Sequence, residues 1–178
     1  QAAGSYLRIN GPLPGGGTAR DVFSSLELSG DSGGFDGHVE VGHRDASPEL
    51  FIEGGDALYL ALGYSAGSFA LTAEAKDYER FLSLYSEPPT VVKTHSWTLL
   101  NRQTHVSNPD DEVGWQVEGS WSPGPESGVT LNHSRSDNHD GDDLFRYRQV
   151  TLESRHRLGA DGPRFRAMAD WSRDILKG

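Results

Sequence analysis

The chain has 178 residues, carries a formal net charge of −10 at pH 7 and contains no cysteine. This length is enough for one domain with its own core, but the acidic balance argues against a nucleic-acid partner, because no basic stripe could neutralise phosphates. The lack of cysteine excludes a disulfide scaffold, a cysteine-ligated zinc site and a thiol nucleophile.

The composition favours strands and turns over helices. Glycine is abundant at 22 residues, methionine occurs once, and the chain has 4 Trp, 6 Tyr and 7 Phe, a bias typical of β-structure. No run of about 18 apolar residues is present, so the sequence contains no candidate transmembrane helix. The absence of such a run does not exclude strands that span a membrane, because the strands of a membrane barrel are short and only half of their residues are apolar.

Alternation of residue type begins almost at the first residue. Period-two segments bounded by turn formers predict an all-β fold, an antiparallel up-and-down meander of about nine strands. The predicted strands cover residues 4–9, 21–29, 35–44, 55–64, 68–78, 112–121, 128–136, 144–154 and 163–174. The chain starts without Met and without a signal segment, so we expect it to be a fragment, or a processed piece, of a longer protein.

The stretch from Gly55 to Tyr78 predicts a β-hairpin. Leu58, Leu60 and Leu62 form an apolar stripe on one face of its first strand, and small residues occupy the other face. The turn composition of Ser65-Ala66-Gly67 places the reversal there.

After this hairpin the alternation is lost over a long loop at about 79–111, far beyond the median of about 4–6 residues for connections. We therefore interpret residues 1–178 as a single β-barrel segment interrupted by this loop, where a specific function would lie.

The other connections alternate in length. Those after the second, fourth and sixth strands are short, and those after the first, third and fifth are longer and contain Pro, as in outer-membrane barrels. The last two connections blur this pattern.

The polar strand faces favour a barrel lumen over a soluble surface. They carry charge in mid-strand together with Gly and Ala, as in the wall of a water-filled channel. The residues predicted to face the lumen are Asp36, His38, Glu40, Glu74, Lys76, Glu112 and Glu118. Aromatic residues near strand ends suit interfacial girdles: Tyr6, Tyr64, Tyr78, Trp121, Tyr147 and Trp171.

A soluble β-sandwich is the alternative interpretation. Its apolar faces would pack together in a core, and its polar faces would meet water. Such a module could bind carbohydrate through exposed Trp97, Trp115 or Trp121.

Four motifs resemble an uncharacterised family of large bacterial outer-membrane β-barrel proteins that has no assigned substrate. They are AEAKDYERF (Ala73 to Phe81), EPPT (Glu87 to Thr90), HSWTLLNRQTHV (His95 to Val106) and DDEVGWQVE (Asp110 to Glu118). The resemblance extends to the strand rhythm on both sides and covers most of the chain. It implies that this chain is an interior part of a longer barrel. An odd strand number near nine predicts a sheet that does not close on itself, since single-chain bacterial barrels have even numbers.

Three stretches contain residue types found in metal, catalytic or phosphate sites, but none of them matches an established motif. The acidic loop Asp137 to Asp143 has oxygen ligands for a hard cation, but its spacing fails the EF-hand template. His95, Arg102 and His105, with the acidic run 110–112, lack the framework of a metalloprotease or hydrolase motif. The glycines at 15–17 lack the Lys-Ser/Thr ending of a phosphate loop.

The sequence therefore predicts an outer-membrane barrel segment that acts as a porin-like pore or a surface scaffold. We expect no enzymatic activity, no cofactor and no metal site. The expected location is the bacterial outer membrane, and the expected partners are outer-membrane lipid and the remaining strands of the parent barrel.

Overall fold

A computed structural model describes residues 1–12, 18–45, 53–81, 111–124, 126–139, 145–159 and 162–176. Within these ranges the chain forms nine strands and no helix. The strands are β1 (Ala2–Pro12), β2 (Thr18–Ser32), β3 (Phe35–Arg44), β4 (Gly55–Ala66), β5 (Phe69–Glu79), β6 (Asp111–Gly124), β7 (Ser127–Asp137), β8 (Phe145–Arg157) and β9 (Arg164–Leu176). With no helix in the described part, none is present there that could cross a membrane.

The nine strands form one sheet in which every strand pairs antiparallel with its sequence neighbour, in the order β1 to β9. Over the described residues β1 pairs only with β2 and β9 only with β8, so the sheet is not closed into a barrel. The prediction of an open, all-β, up-and-down meander of about nine strands is confirmed.

Connections of different length lie at opposite ends of the strands. Those after β2, β4 and β6 contain two residues each, and the connection after β8 lies at the same end, which we call the turn end. Those after β1, β3, β5 and β7 lie at the opposite end, the loop end, where β5 stops at Glu79 and β6 starts at Asp111. The expected alternation of short and long connections is confirmed for the first six strands.

The turns themselves are tighter than the sequence predicted. The β2–β3 turn is Gly33-Gly34, with both residues at positive φ, and the β4–β5 turn is centred on Gly67-Ser68. The expected turn at Ser65-Ala66-Gly67 was wrong by about one residue, since Ser65 and Ala66 belong to β4. Positive φ at Gly67 is the physical reason, because a residue without a Cβ adopts that conformation at low cost.

The register assigns each strand residue to one of two faces, because residues opposite each other in an antiparallel pair project to the same side. We call them the polar face, which contains Lys76 and Glu112, and the apolar face, which contains Leu62 and Leu131.

In a soluble protein the apolar face of a sheet is buried and the polar face is exposed. In this sheet the burial of the two faces is inverted. On the polar face eight polar or charged residues are at most 4% exposed: Arg44, Lys76, Glu112, Asn132, Ser134, Ser136, Gln149 and Thr151. Among the described residues of the apolar face, seventeen large hydrophobic ones are at least 37% exposed: Tyr6, Leu26, Leu28, Phe35, Val41, Leu58, Leu62, Phe69, Leu71, Trp115, Val117, Trp121, Val129, Leu131, Leu152, Phe165 and Trp171.

A small aromatic cluster lies on the polar face near the loop end. Phe81, just after β5, packs edge-on against Phe23 with ring centroids 5.7 Å apart and lies 6.4 Å from the ring of Tyr78. The guanidinium of Arg44 lies 5.4 Å from the centre of the Phe23 ring. A Cβ on Gly42 would touch Phe81, so this glycine makes room for the ring.

Tyr78 therefore corrects one sequence expectation. We predicted it to be part of an interfacial girdle, but it is 4% exposed and lies among polar-face residues. Tyr6, Tyr64, Trp121 and Trp171, by contrast, lie on the apolar face.

Candidate functional site on the polar face

The seven residues predicted to face a lumen all lie on the polar face of the sheet. The register carries them across three strands, β3, β5 and β6: Asp36, His38, Glu40, Glu74, Lys76, Glu112 and Glu118. Lys76 and Glu112 are buried, Asp36 is exposed, and the other four are half-buried. Four small residues also lie on this face: Gly42, Ala61, Gly63 and Gly114.

A buried ion pair forms the centre of the face. Lys76 Nζ lies 2.6 Å from Glu112 Oε2, and the two side chains are 1% and 2% exposed. Ser136 Oγ donates to the other carboxylate oxygen at 2.5 Å. The residue directly opposite Lys76 is Gly114, which has no side chain, so Lys76 pairs diagonally with Glu112. Both charges are therefore compensated, as burial requires.

A chain of amide and carboxylate groups continues towards the turn end. Gln116 donates to Glu74 at 2.8 Å. Asn132 donates to Glu118 at 3.2 Å and makes a longer contact with Gln116 at 3.5 Å. Side chains from β5, β6 and β7 are thus connected in one polar network.

A second polar group lies on β8 and β9. Asp170 accepts hydrogen bonds from Gln149 Nε2 at 2.8 Å and from Thr151 Oγ1 at 2.7 Å. Within the described ranges no partner is found for the buried Ser134 Oγ or Asn132 Oδ1. The face therefore retains hydrogen-bonding capacity for water or a polar solute.

Sequence reasoning did not select the β7–β9 part of this network. The missed residues are Asn132, Ser134, Ser136, Gln149, Thr151 and Asp170. Their signal in β7 was incomplete, since Asn132, Ser134 and Ser136 alternate with Leu131, His133 and Arg135, of which only Leu131 is apolar. Five of the six missed residues are uncharged, so the criterion of mid-strand charge does not select them, and only Asp170 meets it.

Arginines surround a cavity at the turn end of the polar face. Arg157 and Arg164 both donate to Glu126 Oε1, at 3.1 Å and 2.8 Å, and Arg166 donates to Glu153 at 2.9 Å. Together with Arg155, Arg164 and Arg166 line a cavity of about 410 Å³. This end of the face is basic, whereas the face from β3 to β6 is mostly acidic.

A histidine joins three strands at the loop end. His139 Nδ1 lies 2.6 Å from Asp111 Oδ1, and its Nε2 lies 2.9 Å from Asp77 Oδ1. Burial lowers the pKa of His139, but the hydrogen bond to Asp111 and the charges of both carboxylates outweigh it, so the pKa is raised overall. Two carboxylates facing both ring nitrogens favour the imidazolium form.

The other candidate sites are only partly within the described residues. His95, Trp97, Arg102, His105 and residues 140–143 of the acidic loop lie outside them. Trp115 and Trp121 lie on the apolar face and are exposed. Among the residues that the structure describes, no three His, Asp or Glu side chains form a group that could hold a metal ion.

No family model, curated protein or solved structure matches this chain. The resemblance to a family of outer-membrane barrels stays a prediction.

Proposed function

We propose that this chain is a segment of an outer-membrane β-barrel, with its apolar face towards lipid and its polar face lining a lumen. The observation that carries the proposal is the inverted burial: Lys76 is 3% exposed and Glu112 2%, whereas Leu131 is 52% exposed. In water an exposed apolar sheet face of this extent is unfavourable, whereas in a bilayer it is the favoured arrangement.

Strand length supports the same proposal. The nine strands contain between 10 and 15 residues, whereas strands of globular proteins typically contain about 5–6. A tilted strand needs about 9–11 residues to cross the hydrocarbon core. All nine strands are long enough for that crossing.

A pair of adjacent substitutions on β7 tests which face meets lipid. Leu131 lies on the apolar face, and its neighbour Thr130 lies on the polar face opposite Ser120 and Glu153. Leu131→Arg should cost about 2–4 kcal/mol of folding free energy in phospholipid vesicles if it lies near the midplane. Thr130→Arg should be tolerated, because the new charge lies next to Glu153. The reverse ranking would overturn the assignment of faces.

Detergent dependence tests the membrane proposal as a whole. The parent protein should aggregate in buffer and fold in detergent or vesicles. A folded, monomeric protein in buffer without detergent would contradict the proposal. It would favour the alternative, a soluble module in which a second sheet covers the apolar face.

Measurement of ion conductance across planar bilayers distinguishes a barrel that acts as a pore from one that acts as a scaffold. A pore with this acidic stretch from β3 to β6 should prefer cations, and Glu74→Lys with Glu118→Lys should weaken that preference. A folded, inserted protein that conducts no ions would be a surface scaffold.

A further inference from the structure

Three arginines lie opposite one another on the apolar face. Arg135 on β7 pairs in register with Arg148 on β8, and Arg148 pairs with Arg173 on β9. Side chains directly opposite in antiparallel strands have Cβ atoms about 4.5–5.5 Å apart, and like charges at such positions destabilise the sheet. We call Arg135, Arg146, Arg148 and Arg173 the arginine row, because Arg146 flanks the other three on the same face.

Two of the four arginines in the row, Arg135 and Arg146, form ion pairs with an acidic side chain. Asp137 accepts a hydrogen bond from Arg135 Nε at 2.5 Å and from Arg146 Nε at 2.7 Å. In the described part of the chain no acidic side chain forms an ion pair with Arg148 or Arg173, and both side chains are exposed. Four arginines and one aspartate leave an excess of positive charge in a protein whose net charge is −10.

The arginine row lies where the apolar face changes from hydrophobic to charged. Towards the turn end the same strands present Leu131, Leu152 and Ala169. Trp171 lies between the two zones, is 55% exposed, and lines a cavity of about 210 Å³ with Arg146, Arg148 and Arg173. In a membrane protein, an exposed Trp at such a boundary is typical of the headgroup level.

We propose that the arginine row binds the phosphate group of an anionic lipid at the loop-end interface of the membrane. This inference rests on the proposed function, because it requires the apolar face to meet lipid. The planar guanidinium binds phosphate oxygens in bidentate geometry, and basic clusters at membrane interfaces attract anionic lipids. A phosphate between Arg148 and Arg173 would neutralise the like charges, while Trp171 would contact the upper part of the acyl chains.

The test compares micelles with and without a phosphate-bearing lipid. The parent protein is folded in phosphatidylcholine-based micelles, and its unfolding temperature is measured as phosphatidic acid replaces phosphatidylcholine. Binding to the folded state raises the unfolding temperature. In Arg148→Gln/Arg173→Gln the apparent affinity for phosphatidic acid should fall about tenfold or more, because charge-assisted hydrogen bonds are lost.

Two controls separate specific binding from general charge effects. Arg155→Gln/Arg164→Gln removes two exposed arginines from the polar face and should keep the full response to phosphatidic acid. Arg148→Glu places an anion between Arg135 and Arg173, so it should raise stability in phosphatidylcholine alone and abolish the response.

The proposal is overturned by either of two results. One is an equal response of wild-type protein and Arg148→Gln/Arg173→Gln to phosphatidic acid. The other is an equal stabilisation by inorganic phosphate, which would identify a soluble anion rather than a lipid. In both cases the ranking of Leu131→Arg and Thr130→Arg could still support a membrane barrel, so failure of this inference is distinguishable from failure of the proposed function.

Discussion

At the scale of single residues, ion pairs of the described residues lie on both faces of the sheet, and the polar face holds the least accessible pair. A buried pair such as Lys76–Glu112 gains Coulomb energy but loses hydration, so its net contribution to stability is small. Removal of one partner is different, since it leaves the other charge buried without compensation.

We therefore expect Glu112→Ala to lower the free energy of unfolding by about 3–5 kcal/mol. Lys76 would lose its carboxylate, and Ser136 would lose its acceptor. The double substitution Lys76→Met/Glu112→Leu should recover most of this loss, because no buried charge remains. Urea titrations in vesicles provide the measurement, with Glu118→Ala as the control, since Glu118 is half-buried on the same strand and face. Equal losses for Glu112→Ala and Glu118→Ala would mean that burial of the ion pair has little energetic effect.

His139 predicts a pH dependence at the loop end. Its pKa is raised in the folded state, so the stabilisation is complete below the ordinary pKa of about 6.5 and is lost as the pH rises through the folded-state pKa. The difference in unfolding temperature between wild-type protein and His139→Gln should therefore be largest near pH 5.5 and shrink towards pH 8.5. A difference that stays constant over this range would show that the imidazolium form is not what holds Asp77 and Asp111.

At the scale of elements, the sequence determines strands far better than it determines contacts between them. The strand at Phe35–Arg44 was predicted with its observed limits, because apolar and charged residues alternate there without interruption. β1 extends beyond its predicted limits at both ends, because Ala2, Gly11 and Pro12 have no strand preference and join the ladder only through pairing with β2.

The contacts of the candidate site depend on register. Lys76 and Glu112 are 36 residues apart, and the connection between their strands carries no signal that fixes the offset of β5 against β6. The arginine row has the same origin, since Arg135, Arg148 and Arg173 are separated along the chain and meet only through two registers. A sequence with period two assigns a residue to a face but not to a neighbour.

The β2–β3 turn gives an element-scale prediction. Gly33 and Gly34 both have positive φ, at 60° and 85°, as in a type I′ turn. A Cβ on Gly34 would overlap with the carbonyl oxygen of Ser65, whereas a Cβ on Gly33 would meet open space. Gly34→Ala should destabilise the protein by about 1–3 kcal/mol more than Gly33→Ala, because the backbone itself must shift. Urea unfolding of the two variants measures this, and equal effects would mean that the φ angle alone sets the cost.

At the scale of the whole molecule, the open edges of the sheet are the feature that the membrane proposal must explain. β1 and β9 each pair on one side only within the described residues. Unpaired backbone groups are not tolerated in the hydrocarbon region, so spanning sheets are closed. If the apolar face meets lipid, further strands must therefore pair with β1 and β9, as expected for a segment of a larger barrel.

Amide hydrogen exchange tests this requirement. In the 178-residue chain by itself in detergent, about half of the amides in β1 and β9 should exchange rapidly, because alternate N–H groups of an edge strand point away from the sheet. If a longer parent protein supplies the additional strands, the same amides should become as protected in it as those of β5, which is paired on both sides and serves as the internal reference. Only the amide protection of β1 and β9 should differ between the two samples, since β5 should be protected in both. If β1 and β9 are as protected as β5 in the isolated chain, their edges are satisfied without additional strands, and the segment does not need a parent barrel to pair with.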